Sequence, residues 1–385
     1  MKSDLPDTTE IYFKRFLRPN ALALDGYSPG APAESEDAVL LGANENCFGT
    51  PPAVLKTLRS LLSSRPNVHR YPDMTCARLR GALSRKYGLS PECFLIGNGL
   101  DDIINTLALT FLDPGDDVIV PAATFVVYAS SARMMGATPV FVPMRADLSI
   151  DVGALADAVT STTKMIFLCS PNNPTGAVVT RGEFESLLER LSLMPTRPLL
   201  IVDHAYADFV DPKQDHADAT RYVSDFNNVA VLRTFSKISG LAGLRAGYMI
   251  AHPKWISHMY RTRPPYTVNS LAQAAAETDV TDPSVSAFKE RTSARISKTR
   301  QKLEDFLRMN GIPYVPSHAN FVFAFYGMPH PELQDISQEL RARGILVRTL
   351  RHDSAPCGLR LTVGTPAENR KLMSAIAEII EQRRS

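Results

Sequence analysis

Long apolar runs are missing from this sequence. No stretch approaches the roughly 18 consecutive apolar residues a membrane span needs. The first ten residues, Met-Lys-Ser-Asp-Leu-Pro-Asp-Thr-Thr-Glu, are polar and acidic where a secretory signal carries an apolar core. An excess of one charge is missing too. The 42 Lys and Arg against 40 Asp and Glu leave a net +2, so nothing points to nucleic acid or an anionic membrane as a partner. The five cysteines, at 47, 76, 93, 169 and 357, are scattered, odd in number and without a Cys-x-x-Cys pair. They read as reduced thiols in a cytoplasmic setting, not as a disulfide framework or a zinc site. No internal repeat or low-complexity tract is present. What remains is a 385-residue chain, 44% apolar and 21% charged, with the composition of a soluble globular protein of one large or two medium domains.

Residues 1–49 read as an irregular arm. A helical pattern begins at Thr50-Pro-Pro-Ala, a cap residue followed by proline at the first helical position. From about 76 to 250, short apolar runs alternate with amphipathic segments. The runs are Phe94–Ile96, Val118–Val120, Val140–Val142, Met165–Leu168, Leu199–Val202, Val229–Leu232 and Tyr248–Ala251. Their near-continuous hydrophobicity predicts strands buried on both faces of a largely parallel sheet. Helices are predicted near 101–112, 126–136, 151–159 and 181–193, the last opened by the capping box Thr180-x-x-Glu183. The fold class is therefore α/β, a mostly parallel sheet between helices. Beyond about 252 the rhythm changes to a long helix over 284–309, strands at 320–324, 345–348 and 358–363, a helix near 331–343 and a final helix behind a second box, Thr365-Pro-x-Glu368. This predicts a smaller α+β domain, with residues 50–265 forming the large domain and 1–49 plus 266–385 the small one.

Ligands of open α/β sheets sit at the carboxyl ends of the strands, so the residues after each run carry the functional reading. Gly97-Asn-Gly-Leu-Asp101 opens a helix. The amides of Gly99, Leu100 and Asp101 suit an anion such as phosphate, or make an ordinary capped turn. An aromatic in Phe125-Val-Val-Tyr128 suits stacking on a flat ring, or a core. Pro171-Asn-Asn-Pro-Thr-Gly176 is a rigid loop in which an Asn amide can donate to a ring oxygen, or simply a good turn. Asp203 ends a buried strand and needs a partner. A pyridinium nitrogen is one, while a metal is disfavoured because no second carboxylate sits beside it. Tyr206 lies three residues on. Last comes Arg233-Thr-Phe-Ser-Lys-Ile-Ser-Gly-Leu-Ala-Gly-Leu-Arg-Ala-Gly-Tyr248. Its Thr234, Ser236 and Arg245 are phosphate-binding types grouped around one lysine, Lys237, in the manner of a Schiff-base lysine on pyridoxal 5'-phosphate.

Together with Asn44-Glu-Asn, Arg70-Tyr-Pro-Asp73, Arg263-Pro-Pro, Ala319-Asn-Phe-Val322, Gly344-Ile-Leu-Val-Arg348 and Leu359-Arg-Leu-Thr-Val-Gly364, these segments make the chain resemble the fold-type-I pyridoxal-phosphate aminotransferases, and among them the histidinol-phosphate aminotransferase family. The likeness runs from about Tyr27 to the final helix. It implies an aspartate-aminotransferase-like fold, pyridoxal 5'-phosphate as cofactor, no metal, and a cytoplasmic homodimer of histidine biosynthesis that passes an amino group between a small amino donor, histidinol phosphate, and 2-oxoglutarate. Carried over, Lys237 is the catalytic lysine, Asp203 pairs with the ring nitrogen, and Tyr206 and Asn173 hold the ring oxygen. Phe125 stacks on the ring, and Gly99, Leu100, Asp101, Thr234, Ser236 and Arg245 bind the phosphate. Tyr71 reaches the phosphate of the neighbouring subunit. Arg360 takes the substrate carboxylate, and Arg348, Tyr27 and Asn44 complete the substrate site.

The chain departs from the family pattern at three places: His204 stands where Glu is usual, Cys47 where Pro is usual and Phe125 where Tyr is usual. His204 is either a buried, hydrogen-bonded neighbour of the site or a mark of altered substrate choice. The alternatives are an aromatic or basic amino donor, or decarboxylation of a phosphorylated amino acid. A transcription regulator with an aminotransferase-like domain is disfavoured, since only some 49 irregular residues precede the repeat of strands and helices.

Overall fold

The computed structural model describes residues 14–22, 24, 37–64, 69–351 and 355–384. Two sheets organise it. The larger has seven strands: β2 (Phe94–Gly97), β3 (Asp117–Pro121), β4 (Thr138–Val142), β5 (Thr163–Cys169), β6 (Leu199–Asp203), β7 (Val229–Thr234) and β8 (Gly247–Ala251), in the order β2-β8-β7-β6-β5-β3-β4. Only β8 runs against the rest; every other neighbouring pair is parallel.

The strands read as unbroken apolar runs because both faces are covered. On β5, Ile166 and Leu168 join one buried cluster with Leu79, Leu83, Leu187 and Leu191 of the flanking helices. Met165 and Phe167 point to the opposite cluster, with Ile103, Ile104, Leu107 and Trp255. Each strand is thus buried through its alternating side chains, and the predicted two-sided α/β arrangement is what forms.

The predicted helices form at Leu100–Phe111, Val126–Met135, Val152–Asp157 and Arg181–Ser192. Both capping boxes close. Thr180 Oγ1 accepts from Glu183 N while Glu183 Oε2 accepts from Thr180 N, and Thr365 and Glu368 repeat the exchange. Thr50 does something else. The helix is Pro52–Ser64, its first amides bond to the Pro51 carbonyl, and the Thr50 hydroxyl donates to Gly240 O at 2.7 Å.

The smaller sheet contains β1 (Val39–Leu41), β9 (Tyr314–Val315), β10 (Phe321–Ala324), β11 (Ile345–Leu350) and β12 (Gly358–Thr362), in the order β1-β11-β12-β10-β9. Strand β1 is a correction to the irregular arm: three residues are too few to show an alternation, and parallel pairing with β11 makes them a strand. The long helix Pro283–Met309, the helix His330–Ala342 and the final helix Pro366–Arg384 pack on this sheet through Leu303, Leu340 and Ile376. The helix Ser270–Thr281 packs on Pro52–Ser64 and Ala77–Tyr87, and its Ala272, Ala275 and Ala276 join the core of the larger sheet, beyond residue 265. Among the described residues, no helix is long and apolar enough to cross a membrane.

Candidate active site

A cavity of about 990 Å³ opens where the carboxyl ends of the parallel strands meet the smaller sheet. Its floor comes from the ends of five strands and the turns after them: Leu100 and Asp101 after β2, Phe125 after β3, Asn173 after β5, Asp203 ending β6 with Tyr206 beyond it, and Thr234 ending β7 with Ser236 and Lys237 beyond it. Parallel strands necessarily bring their ends to one edge, so five sequence-distant turns become neighbours.

Asp203 is buried, at 3% exposure. Its Oδ2 accepts from the Tyr128 hydroxyl at 2.6 Å, and its Oδ1 accepts from Ala205 N at 2.9 Å. Burial pushes the carboxyl up to about 6, against the stabilising hydrogen bond from Tyr128. An ionised carboxylate offers about four acceptor sites, so two donors leave it able to face a cation. Tyr128 is fully buried, stacked on Phe167 with ring centroids 4.5 Å apart. Lys237 is half-buried, donates from Nζ to Ala43 O at 3.0 Å, and lies 5.8 Å from the Tyr206 ring centre. Burial and the Arg360 charge bring its amine down to about 8. An amine so shifted is a competent nucleophile and base near neutral pH.

At one end of the cavity the helix Leu100–Phe111 begins. Gly99 caps it with φ 83° and ψ 175°, backbone that only glycine adopts readily. A Cβ there would stand 2.6 Å from the Arg245 guanidinium. Arg245 reaches Asp101 Oδ2 at 3.4 Å, and Thr234 Oγ1 accepts from Ser236 N at 3.0 Å. Helix amides, two hydroxyls and a guanidinium thus converge on a small volume, a donor set made for a phosphate dianion.

The opposite wall belongs to the smaller sheet. Arg360 on β12 and Arg348 on β11 are direct cross-strand partners, so both rise from one face of the sheet, and both line the cavity. Arg360 donates to Asn173 Oδ1 and to Gly42 O, each at 2.7 Å. This contact joins the β5 turn to the smaller sheet.

Twelve of the residues predicted from sequence therefore line one cavity: Leu100, Asp101, Phe125, Asn173, Asp203, Tyr206, Thr234, Ser236, Lys237, Arg245, Arg348 and Arg360. Gly99 lies immediately behind them. Asn44 does not line it. It is wholly buried, donating to the Tyr206 hydroxyl at 3.1 Å and accepting from Thr362 Oγ1 at 3.0 Å, because its polar groups are consumed in joining the two sheets. Tyr71 is 82% exposed, stacks on Tyr266 at 4.7 Å, and lies away from the cavity. Tyr27 lies outside the described residues.

The family model for aminotransferase class I and II matches residues 36–376. The chain belongs to the class I and II aminotransferases. This aminotransferase is 39% identical over 357 residues to the histidinol-phosphate aminotransferase of Symbiobacterium thermophilum, covering 91% of this chain and 94% of the relative. It is 35% identical over 374 residues to that of Moorella thermoacetica, covering 93% and 92%. Among solved structures, histidinol-phosphate aminotransferase from Sinorhizobium meliloti in complex with pyridoxal-5'-phosphate superposes with a TM-score of 0.85 at 25% identity, covering 95% of this aminotransferase and 98% of that chain.

Several residues of this aminotransferase's site carried no sequence signal of their own. Tyr128 reads in sequence as a core aromatic, and it is one; only its hydroxyl reaches the site. Gln334, Ser337, Gln338 and Arg341 also line the cavity. Their helical spacing is that of any solvated helix face, so the pattern does not separate the two cases. Phe125 holds both of its expected places: it lines the cavity and packs edge-on against Tyr128 at 5.6 Å. His204 points away from the cavity. Its Nδ1 lies 2.7 Å from Ser170 O and its Nε2 accepts from Ala219 N at 3.1 Å.

Proposed function

We propose that this chain is a pyridoxal 5'-phosphate-dependent aminotransferase that takes the amino group of histidinol phosphate and passes it to 2-oxoglutarate, working as a cytoplasmic homodimer. The observation that carries the reading is the placement of the Lys237 amine, the Asp203 carboxylate and the Gly99–Arg245 cradle around one cavity. The donor set fits the cofactor. A buried carboxylate raised to about 6 is short of positive partners, which a ring N–H⁺ supplies. A glycine whose Cβ would press on Arg245 leaves room for the phosphate. Tyr206 and Asn173 are assigned to the ring oxygen and Phe125 to the ring face, with Leu100, Asp101, Thr234 and Ser236 completing the phosphate cradle.

When bound, pyridoxal phosphate supplies an aldehyde for the amino group and a ring that accepts the electrons of the broken Cα–H bond. The chain does the rest. Lys237 Nζ, lowered to about 8, is the anchoring amine and, once displaced, the base that removes the α-proton from the amino substrate. Asp203 keeps a positive charge opposite it favourable, and Tyr128 fixes the carboxylate's orientation. Arg360 holds a carboxylate of the oxo-acid partner, the planar pairing for which guanidinium is suited. Arg348, rising beside it, receives an anionic distal group. The identity of relatives 39% and 35% identical to this chain supports histidinol phosphate as that substrate. The exposed Tyr71 is assigned to the neighbouring subunit's phosphate, and Tyr27 to the substrate mouth.

The test is a panel of amino donors with 2-oxoglutarate as acceptor, reading glutamate and CO₂. Histidinol phosphate is expected to give glutamate, with kcat/KM at least tenfold above aromatic and basic amino acids. Preference for one of those refutes the substrate. Release of CO₂ from a phosphorylated amino acid without an oxo acid refutes transamination.

A further inference from the structure

We infer that His204 is a positioning residue that sets the Pro171–Gly176 turn, and through Asn173 the substrate-facing Arg360, by holding the carbonyl of Ser170. The turn begins where β5 ends, and its geometry is fixed at three points. In the middle, buried Asn172 donates to Ala123 O and to Thr175 Oγ1 and accepts from Thr124 Oγ1. At its far end, Gly176 O accepts from His318 N at 2.8 Å, a contact with the chain leading into the smaller sheet. At its start stands Ser170. Its amide donates to Asp203 O at 3.0 Å and its hydroxyl accepts from Val179 N at 3.0 Å. Its carbonyl faces two imidazoles, His204 Nδ1 at 2.7 Å and His216 Nε2 at 3.3 Å.

The tautomer of His204 follows from its partners. Ala219 N is a donor, so Nε2 must accept; Nδ1 then carries the proton and donates to Ser170 O. The ring is neutral and wholly buried, with His216 tilted against it at 5.1 Å. His204 is thus the shorter of two donors to one buried carbonyl, and it follows Asp203 directly in the chain. Three residues beyond that carbonyl, Asn173 Oδ1 receives Arg360 Nη1 at 2.7 Å. A turn released at its start lets Asn173 and Arg360 drift together, so the cost falls on substrate capture more than on the proton-transfer step.

Asparagine and glutamine divide the two roles of the imidazole. His204→Asn puts an N–H near the Nδ1 position and keeps the Ser170 bond. His204→Gln puts an oxygen near the Nε2 position and keeps only the Ala219 bond. Ala219→Pro removes the second bond from the other side, at a first-turn position proline tolerates. The inference rests on the aminotransferase reading, but it is measured as ratios to the wild-type enzyme on whichever donor that enzyme accepts. Failure with histidinol phosphate therefore counts against the substrate and not against His204. In holoenzyme normalised to bound cofactor, His204→Gln is expected to raise KM for the 2-oxo acid about tenfold, equivalent to about 1.4 kcal/mol, with kcat changed less than KM. His204→Asn and Ala219→Pro are expected to stay within about threefold of wild type, below the tenfold that 1.4 kcal/mol represents. Equal impairment in the Asn and Gln variants, or a KM unmoved in the Gln variant, overturns the inference. Should the Gln variant not fold, the other two decide, because a tenfold KM rise in either contradicts it.

Discussion

Asp203→Asn exchanges a charge for a neutral group of the same shape, and the structure predicts opposite effects with and without cofactor. In the unliganded protein the Asp203 carboxyl is raised from 3.8 to about 6 by burial, against the hydrogen bond from Tyr128. A folded-state value above the unfolded one means that the group favours folding below about pH 4 and that this contribution is lost as pH rises through about 6. The shift corresponds to about 3 kcal/mol at 1.36 kcal/mol per unit. Asparagine does not titrate. Cofactor-free Asp203→Asn is therefore expected to be more stable than wild type by up to about 3 kcal/mol at pH 8, with the gap closing below pH 6 and gone near pH 4. Urea unfolding of the two cofactor-free proteins across pH 4–8 measures it. With pyridoxal phosphate the order inverts. The variant leaves the ring N–H⁺ without its counter-charge, a loss of about 3 kcal/mol or more for one partner of a buried pair, or roughly a hundredfold in affinity. A cofactor-free variant less stable than wild type at pH 8, or one that binds cofactor as tightly, refutes the assignment of Asp203.

Three other outcomes follow from the same geometry. Capture of pyridoxal phosphate by Lys237 should rise with pH to a plateau with a midpoint at about 8, and not near the ordinary 10.5; Arg360→Met should move the midpoint upward, because the Arg360 charge is the second cause of the shift after burial. Stopped-flow absorbance across pH 6–10 reads it. Tyr128→Phe removes a hydrogen bond to a charged group, worth about 1.5–3 kcal/mol, so the Asp203 carboxyl rises further and cofactor affinity falls about tenfold or more at pH 7 in an equilibrium titration. Gly99→Ala forces a side chain into backbone nearly reserved for glycine, at about 1–3 kcal/mol, and displaces Arg245; both a lower melting temperature and weaker inorganic-phosphate binding are expected.

The larger sheet was legible because its strands are buried on both faces. Continuous runs such as Met165–Leu168 need no alternation to be recognised, and parallel order turns their ends into one edge. Lys237, Asp203 and Asn173 become neighbours by that order alone. The illegible parts have physical reasons. Strand β1 has three residues, and its pairing with β11 comes from more than 300 residues away. The helix Ser270–Thr281 buries alanines, whose small side chains give little hydrophobic contrast. Tyr128 looks like core because its ring is core. Asn44 looked like a substrate contact because a polar side chain in a functional motif does not reveal whether its partner is a ligand or a buried tyrosine. His204 broke the expected pattern, and only the positions of Ser170 and Ala219 explain how its two nitrogens are used.

One attachment, of the cofactor to Lys237, carries the proposed chemistry. Protein saturated with pyridoxal phosphate, reduced with borohydride and digested, should carry the phosphopyridoxyl group on the peptide containing Lys237 in one equivalent per chain. A label on a different lysine, or none, contradicts it.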